Sequence, residues 1–297
     1  MLFKNRNLNK RRDYITAYSL IVPSLILIVV VVIFPLFYSF WLSLHRVNFL
    51  YLGQPFIGVR NYIEMFSNKE VGLSLLRTGY FTIVSIIIQI SLGILIALFL
   101  NLNFKGRSVV RLLILLPWAI PTVVNGTLWK WILDGSTGAL NHLLLQIGLI
   151  ENNIIWLGHP FLAINSIILA DTWRMVPLYV IMVLASLQGI PEEQYDAAKV
   201  DGASSWSIFW YVILPNLKPI ILVILILRTI QIFRVFDIIY VMTRGGPANG
   251  TSVITFLTYF TSFKFQNFGL GSAMAFVIGI ITLILTLIYI RAFRRIV

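Results

Sequence analysis

Six apolar runs govern what this chain can fold into. They lie at about 14–44, 78–100, 109–133, 160–188, 208–242 and 268–290. Each is long enough to cross a bilayer as a helix, which takes about 20 residues. In lipid the backbone has no water to bond, so such segments satisfy their own N–H and C=O groups as helices. A membrane β-barrel would show alternating strands of about ten residues instead. Of the 297 residues only 11% are charged and 59% are hydrophobic, against about 25% charged in an ordinary soluble domain. The fold class predicted is an all-α integral membrane protein with six transmembrane helices, residues 1–297 forming a single transmembrane domain. The basic start and following apolar run could be mistaken for a signal peptide. The run is far longer than a signal core of 7–15 residues and no small-residue cleavage site follows, so it reads as a retained first span.

Positive charges set the orientation. With a cytoplasmic N-terminus, the inner side holds Lys4, Arg6, Lys10, Arg11, Arg12, Lys105, Arg107, Arg111, Lys199, Lys218, Arg291, Arg294 and Arg295. The outer side holds the shorter set Arg46, Arg60, Lys69, Arg77, Lys130, Arg244 and Lys264. That asymmetry follows the positive-inside rule and places both termini in the cytoplasm. It also accounts for much of the net charge of +12, which removes the case for nucleic-acid binding. The chain has no cysteine, so disulfides, thiolate metal sites and Cys nucleophiles are excluded. His45, His142 and His159 are scattered near span ends and read as interfacial residues, with no metal site expected.

One polar stretch interrupts the apolar pattern. "PEEQYDAAKVDGASSWSIFWYVILP" occupies 191–215, between the fourth and fifth spans. Pro191 suits a helix start, and Glu192 and Glu193 favour the positive end of the helix dipole. The helix is expected to run to about Val200, with Gly202 ending it in a left-handed conformation. Ser204 or Ser205 then caps the next helix, and Pro215 and Pro219 bend it. This predicts a short surface helix, a tight turn and the start of span five: a compact cytoplasmic knob at 189–207. Taken alone, the knob reads equally as a structured connector.

The pattern of the knob decides between these. Asp196, Ala197, Ala198, Gly202, Val212, Leu214 and Pro215 stand at the spacing of the EAA loop, so the stretch resembles the permease subunits of binding-protein-dependent ABC importers. Asp replaces the motif's Glu and Val its Ile. "LLPWAIPTVV", "DTWRMVPLYVIMVLASLQGIPEE" and "FDIIYVMTRGGPANGT" are similar to carbohydrate-type permeases, the last to the first permease of maltose, glycerol-phosphate and multiple-sugar systems. The resemblance implies the type I importer fold with a cytoplasmic coupling helix, in a bacterial inner membrane. It implies ATPase coupling through Glu193, Tyr195, Asp196, Ala197, Ala198, Asp201, Gly202, Leu214 and Pro215. Small Ala197, Ala198 and Gly202 allow close approach, and Tyr195 and Trp206 are expected to anchor in a partner's pocket. The partners implied are a second homologous permease, two ATPase subunits and an extracytoplasmic solute-binding protein, with a carbohydrate as cargo.

Polar residues at membrane depth are the remaining candidates. Asp171 and Arg174 share a face of span four, and Arg228, Gln231, Arg234 and Asp237 recur every three residues in span five. Asp171 with Arg174, and Arg234 with Asp237, read either as structural pairs or as path-lining groups. Arg228 and Gln231 lack an obvious carboxylate neighbour and are expected to face the translocation path. Asn125 follows kinks expected at Pro117 and Pro121. Trp173 reads as a sugar-stacking ring or an interfacial tryptophan.

No G-x-x-x-x-G-K-[ST] stretch occurs, and "RGGPANGT" lacks the lysine. No cofactor is therefore expected in this chain; ATP and magnesium belong to the partner ATPases, and no Ser/His/Asp spacing suggests catalysis. An ion-coupled secondary transporter is the rival reading, together with an ABC permease for glycerol phosphate or another non-sugar solute. Secondary transporters show paired repeats and broken helices at matching positions, and neither is visible in the sequence.

Overall fold

The computed structural model describes residues 2–48 and 53–294. Arg295, placed above on the cytoplasmic side, lies outside them. The described residues group into two compact units. One comprises those up to 67 together with 261–276, the other 68–260 together with those from 277 to 294.

In the first unit, α1 (Leu2–Ile28), a π-helical turn at Val29–Ile33 and α2 (Phe34–Ser43) run on without a break. The turn ends two residues before Pro35. Proline has no N–H and its ring crowds the carbonyl four residues back, and the wider turn, with the Phe34 N–H bonded to the Val29 carbonyl, takes up that misfit. The apolar part of this helix, Thr16–Ser43, meets the length and composition of a span and buries none of its most apolar window. α3 (Arg60–Ser67) is held by Asn61, whose amide donates to the carbonyls of Ser43 at 2.7 Å and His45 at 3.0 Å.

The second unit is organised around one helix. α4 spans Lys69–Asn101, α5 Arg107–Ala119, α6 Thr122–Ile132, α7 Ala139–Gln146 and α8 Pro160–Gln188. α8 is the most buried of the candidate spans. Two apolar clusters flank it: Phe81, Ile167, Ile238 and Ile239 in one, Ala97, Tyr179, Val183, Leu217 and Ile224 in the other. α4 approaches α8 closely at Gly93, where a Cβ would stand 3.2 Å from that of Tyr179. Small residues at such crossings let helices pack without a side-chain spacer.

α9 (Glu192–Val200) is the polar knob. α10 (Ser205–Ile208), a second π-helical turn at Phe209–Ile213 and α11 (Leu214–Ile232) follow as one bent helix. This turn again ends two residues before a proline, Pro215. α12 (Asp237–Met242), α13 (Ile254–Tyr259) and α14 (Phe268–Arg294) complete the order, and no strand occurs among the described residues. Five helices are long and apolar enough to cross a membrane, and six if the bent pair α5 and α6 counts as one.

Two spans are broken, the third where kinks are expected from its prolines and the fifth where the sequence reads as a continuous run. α5 and α6 meet at 96° across Ile120 and Pro121. Pro121 disfavours the helical region for the residue before it, and Ile120 is extended. The run expected at 208–242 breaks after Ile232, over 233–236, with no proline or glycine there. The Thr255 hydroxyl donates to the Phe233 carbonyl at 2.8 Å, so tertiary contacts satisfy the frayed end.

Candidate functional site

The knob is built by local rules. Pro191 stands at the N-cap, Glu192 and Glu193 fill the first turn and Lys199 the last. At the far end Gly202 has φ +73. Its N–H bonds the Lys199 carbonyl at 3.0 Å, and the Ala203 N–H bonds that of Ala198 at 2.9 Å. These are the two bonds of a Schellman cap. Ser204, rather than Ser205, caps the next helix, its hydroxyl accepting from the Ser207 N–H at 3.3 Å. Between Glu193 and Asp201 only Tyr195 and Ala198 are half-buried; the others are exposed.

Tyr195 does not stand free as an anchor. It packs inward on the cluster around Leu217, and that partial burial raises its phenol pKa. Trp206 is 70% exposed and stacks on Phe209, with centroids 6.1 Å apart. The most exposed large apolar residue of the knob is Val200, at 87%, which the motif reading passed over. Ala197 and Glu193 precede it by three and seven residues, so all three share one helix face. Leu214 is half-buried and Pro215 exposed. The Asn216 amide donates to the Gln194 side chain at 2.9 Å and to the Val212 carbonyl at 2.8 Å. Knob and α11 are thereby tied.

A polar cavity of about 360 Å³ lies where the helix breaks meet. Trp118 and Thr122 reach it from α5 and α6, Asp171 and Arg174 from α8, and Arg228, Gln231, Arg234, Phe236 and Asp237 from α11 and beyond. Asp171, 2% exposed, is the hub. Its Oδ2 pairs with Arg228 Nη2 and accepts from Gln89 Nε2 at 3.2 Å; Gln89 also reaches Thr172 Oγ1 at 3.2 Å. A buried carboxylate is tolerated only with such partners.

This arrangement corrects several expectations. Arg228 has a carboxylate neighbour after all, in another helix, while Arg174 stands 4.0 Å from Asp171. Among the described residues Arg234 and Asp237 form no ion pair within 4.0 Å, and both are exposed on the cavity wall. Asn125 is fully buried and donates to the Ala170 carbonyl at 3.1 Å, a bond between α6 and α8. Trp173 packs edge-on against Trp129 at 6.0 Å. Neither Asn125 nor Trp173 lines the cavity. Gln231 does, 3.5 Å from the Tyr179 hydroxyl. Gln89 was missed, although an amide alone in the middle of the run 78–100 was a visible signal.

A helical bundle with apolar spans, a polar cavity at two helix breaks and a small-residue knob tied to one broken span defines a polytopic membrane transport subunit. The chain belongs to the family of binding-protein-dependent transport system inner membrane components, matched over residues 89–297. It is 40% identical to the trehalose/maltose transport system permease protein MalF of Thermococcus litoralis, over 96% of this chain and 97% of that one. It is 35% identical to the trehalose transport system permease protein SugA of Mycobacterium tuberculosis, over 93% and 88%. To the sulfoquinovosyl glycerol transport system permease protein SmoG of Agrobacterium fabrum it is 34% identical, over 95% and 91%. Among solved structures, a chain of a bacterial ABC transporter involved in the import of alginate superposes with a TM-score of 0.84 at 24% identity, covering 97% of both chains.

Proposed function

We propose that this chain is the carbohydrate-translocating permease subunit of an ATP-driven importer, working by alternating access. The observation that carries the reading is the knob: an exposed helix, closed by a Schellman cap at Gly202, bonded through Gln194 to Asn216 at the head of α11. A motion applied to α9 passes along α11 as a rigid body. α11 then ends at Arg228 and Gln231, on the cavity. Its 19 residues span roughly 28 Å at about 1.5 Å each.

The relatives whose names carry trehalose, maltose or sulfoquinovosyl glycerol support a carbohydrate as the cargo. The partners are a second homologous permease, two ATPase subunits that hold ATP and magnesium, and a solute-binding protein on the outer side. A structure of a bacterial alginate ABC transporter of similar fold is in complex with an alginate pentasaccharide-bound periplasmic protein. Both termini face the cytoplasm, following the charge asymmetry. The loaded binding protein docks outside, and ATP-driven closure of the ATPases moves α9. The cavity then opens outward, and hydrolysis resets it.

A cysteine at Ala198 or Val200 tests the contact. It is expected to crosslink to an ATPase subunit in the assembled complex, with a yield that changes on adding nucleotide. Saccharide uptake in proteoliposomes that persists without ATP and follows an ion gradient would instead establish the secondary-transporter reading.

A further inference from the structure

The cavity beside Asp171 carries more positive charge than its own carboxylates neutralise. Arg174, Arg228 and Arg234 line it, against Asp171 and Asp237. Asp171 is already committed to Arg228 and Gln89. Arg174 stands 4.0 Å from it, beyond hydrogen-bond range. Asp237 lies in the first turn of α12, where the helix dipole offsets its charge. Among the described residues the Nε atoms of Arg174 and Arg228 have no hydrogen-bond partner, although Arg228 is only 3% exposed. A buried N–H without a partner is rare in a native structure and asks for an unseen one. α6 adds to the same bias. It begins at Thr122 on the cavity wall, Pro121 at its N-cap supplies no side-chain bond, and its first N–H groups are uncapped. Helix N-termini of this kind attract anions.

We propose that this cavity holds the oxyanion of an acidic saccharide, a carboxylate or sulfonate carried on a sugar ring, and that the cargo of this permease belongs to that class. The inference rests on the permease reading above. The acid group faces the guanidinium groups of Arg174 and Arg234 on the wall, beside the Arg228–Asp171 pair and Thr122 at the start of α6. Trp118 and Phe236 supply apolar surface for the ring. The volume is that of a small-molecule site and far exceeds what a bare anion fills. A neutral sugar would leave the surplus guanidinium charge uncompensated in a low-dielectric wall.

The test uses the assembled complex of this chain with its own permease and ATPase partners in detergent, titrated without the soluble binding protein. Digalacturonate, the matching neutral disaccharide and inorganic sulfate serve as probes, read by tryptophan fluorescence. Digalacturonate is expected to bind at least about tenfold more tightly than the neutral disaccharide, the scale of one charge-assisted hydrogen bond. Arg174→Gln and Arg234→Gln should each pull that ratio towards one. Equal or tighter binding of the neutral sugar would overturn the proposal, as would a ratio that neither variant changes. Sulfate binding as tightly as digalacturonate would also overturn it, because the site would then be one for bare anions. ATP-driven uptake of a neutral saccharide by the intact system, with no acidic preference, sinks only this inference. Absence of ATP-driven uptake of any saccharide sinks the permease reading beneath it.

Discussion

Replacing Arg228 by alanine strips the buried carboxylate of Asp171 of its counter-ion. Asp171 is 2% exposed, and it would keep only the Gln89 amide at 3.2 Å and Arg174 at 4.0 Å. Breaking a buried pair by removing one partner costs about 3–5 kcal/mol, because the other charge stays desolvated. That is a large part of a native stability of about 5–15 kcal/mol. For a chain of this size, ~2 °C of thermal midpoint per kcal/mol converts the loss to roughly 6–10 °C. The assay is thermal unfolding of the assembled complex, followed by fluorescence-detected size-exclusion chromatography. A second variant, Asp171→Leu with Arg228→Met, removes both charges together. It is expected to recover most of the lost midpoint, since apolar replacements of a buried pair are often neutral. A shift below about 2 °C in the single variant, or no recovery in the double, would refute the idea that this pair is a stranded-charge hazard. Arg228 is therefore a poor probe of the path on its own, because its removal damages the fold as well.

Gln231 is exposed on the cavity wall, so Gln231→Ala should hold the thermal midpoint within about 1 °C while slowing uptake; unchanged uptake kinetics would remove it from the path. A Cβ added at Gly202 meets no atom within 4 Å, so the main cost of Gly202→Val is backbone strain of roughly 1 kcal/mol or more. It should insert and fold yet lose uptake, and near-normal uptake would reduce the knob to a connector. The backbone N–H groups of Thr137 and Ser136 and their hydroxyls donate to Asp134 and hold its carboxyl well below the usual range. A depressed folded pKa means that this contribution is complete above about pH 4, the unfolded value, and fades only as pH falls further. Hydrogen exchange over 135–141, corrected for its intrinsic rate, should stay flat from about pH 5 to 8 and rise throughout in Asp134→Ala; a midpoint inside that window would contradict the assignment. Single cysteines at Asn9, Asn152 and Val200 test the topology, since an impermeant thiol reagent on intact cells should label only Asn152→Cys.

Local patterns were legible where the chain itself supplies the whole device. The knob is one such case, because a proline start, two glutamates and a C-terminal glycine specify a capped helix without outside help. The kink in the third span was legible too, since Pro121 acts on its own neighbour. What escaped was set by residues far apart. Asp171 finds its partner 57 positions away, and spacing along α8 offered the nearer Arg174 instead. The break after Ile232 carries no proline or glycine, and the Thr255 hydroxyl, 22 positions on, accounts for the freed Phe233 carbonyl.

These two kinds of information meet on α11. Its head is bonded to the knob through Asn216 and packed into the core by Leu217, both readable as the start of a span. Its tail carries Arg228 into a carboxylate on α8 and then stops, beside a second broken helix. A continuous helix would carry a push at the knob straight past the cavity into the residues beyond. One that ends at the cavity instead delivers the displacement to the groups on its wall, with Arg228 at the point of delivery. The ion pair to Asp171 then has a use beyond neutralising charge. On the proposed mechanism it would help α8, the most buried of the candidate spans, follow a movement of α11, together with the packing of Leu217 and Ile224 on Tyr179 and Val183. Lengthening α11 through the break, with Val235→Ala and Phe236→Ala as helix-favouring substitutions, should therefore weaken coupling between ATP hydrolysis and uptake while leaving hydrolysis itself intact. Unaltered coupling in a variant shown by hydrogen exchange to be helical across 233–236 would remove the break from the mechanism.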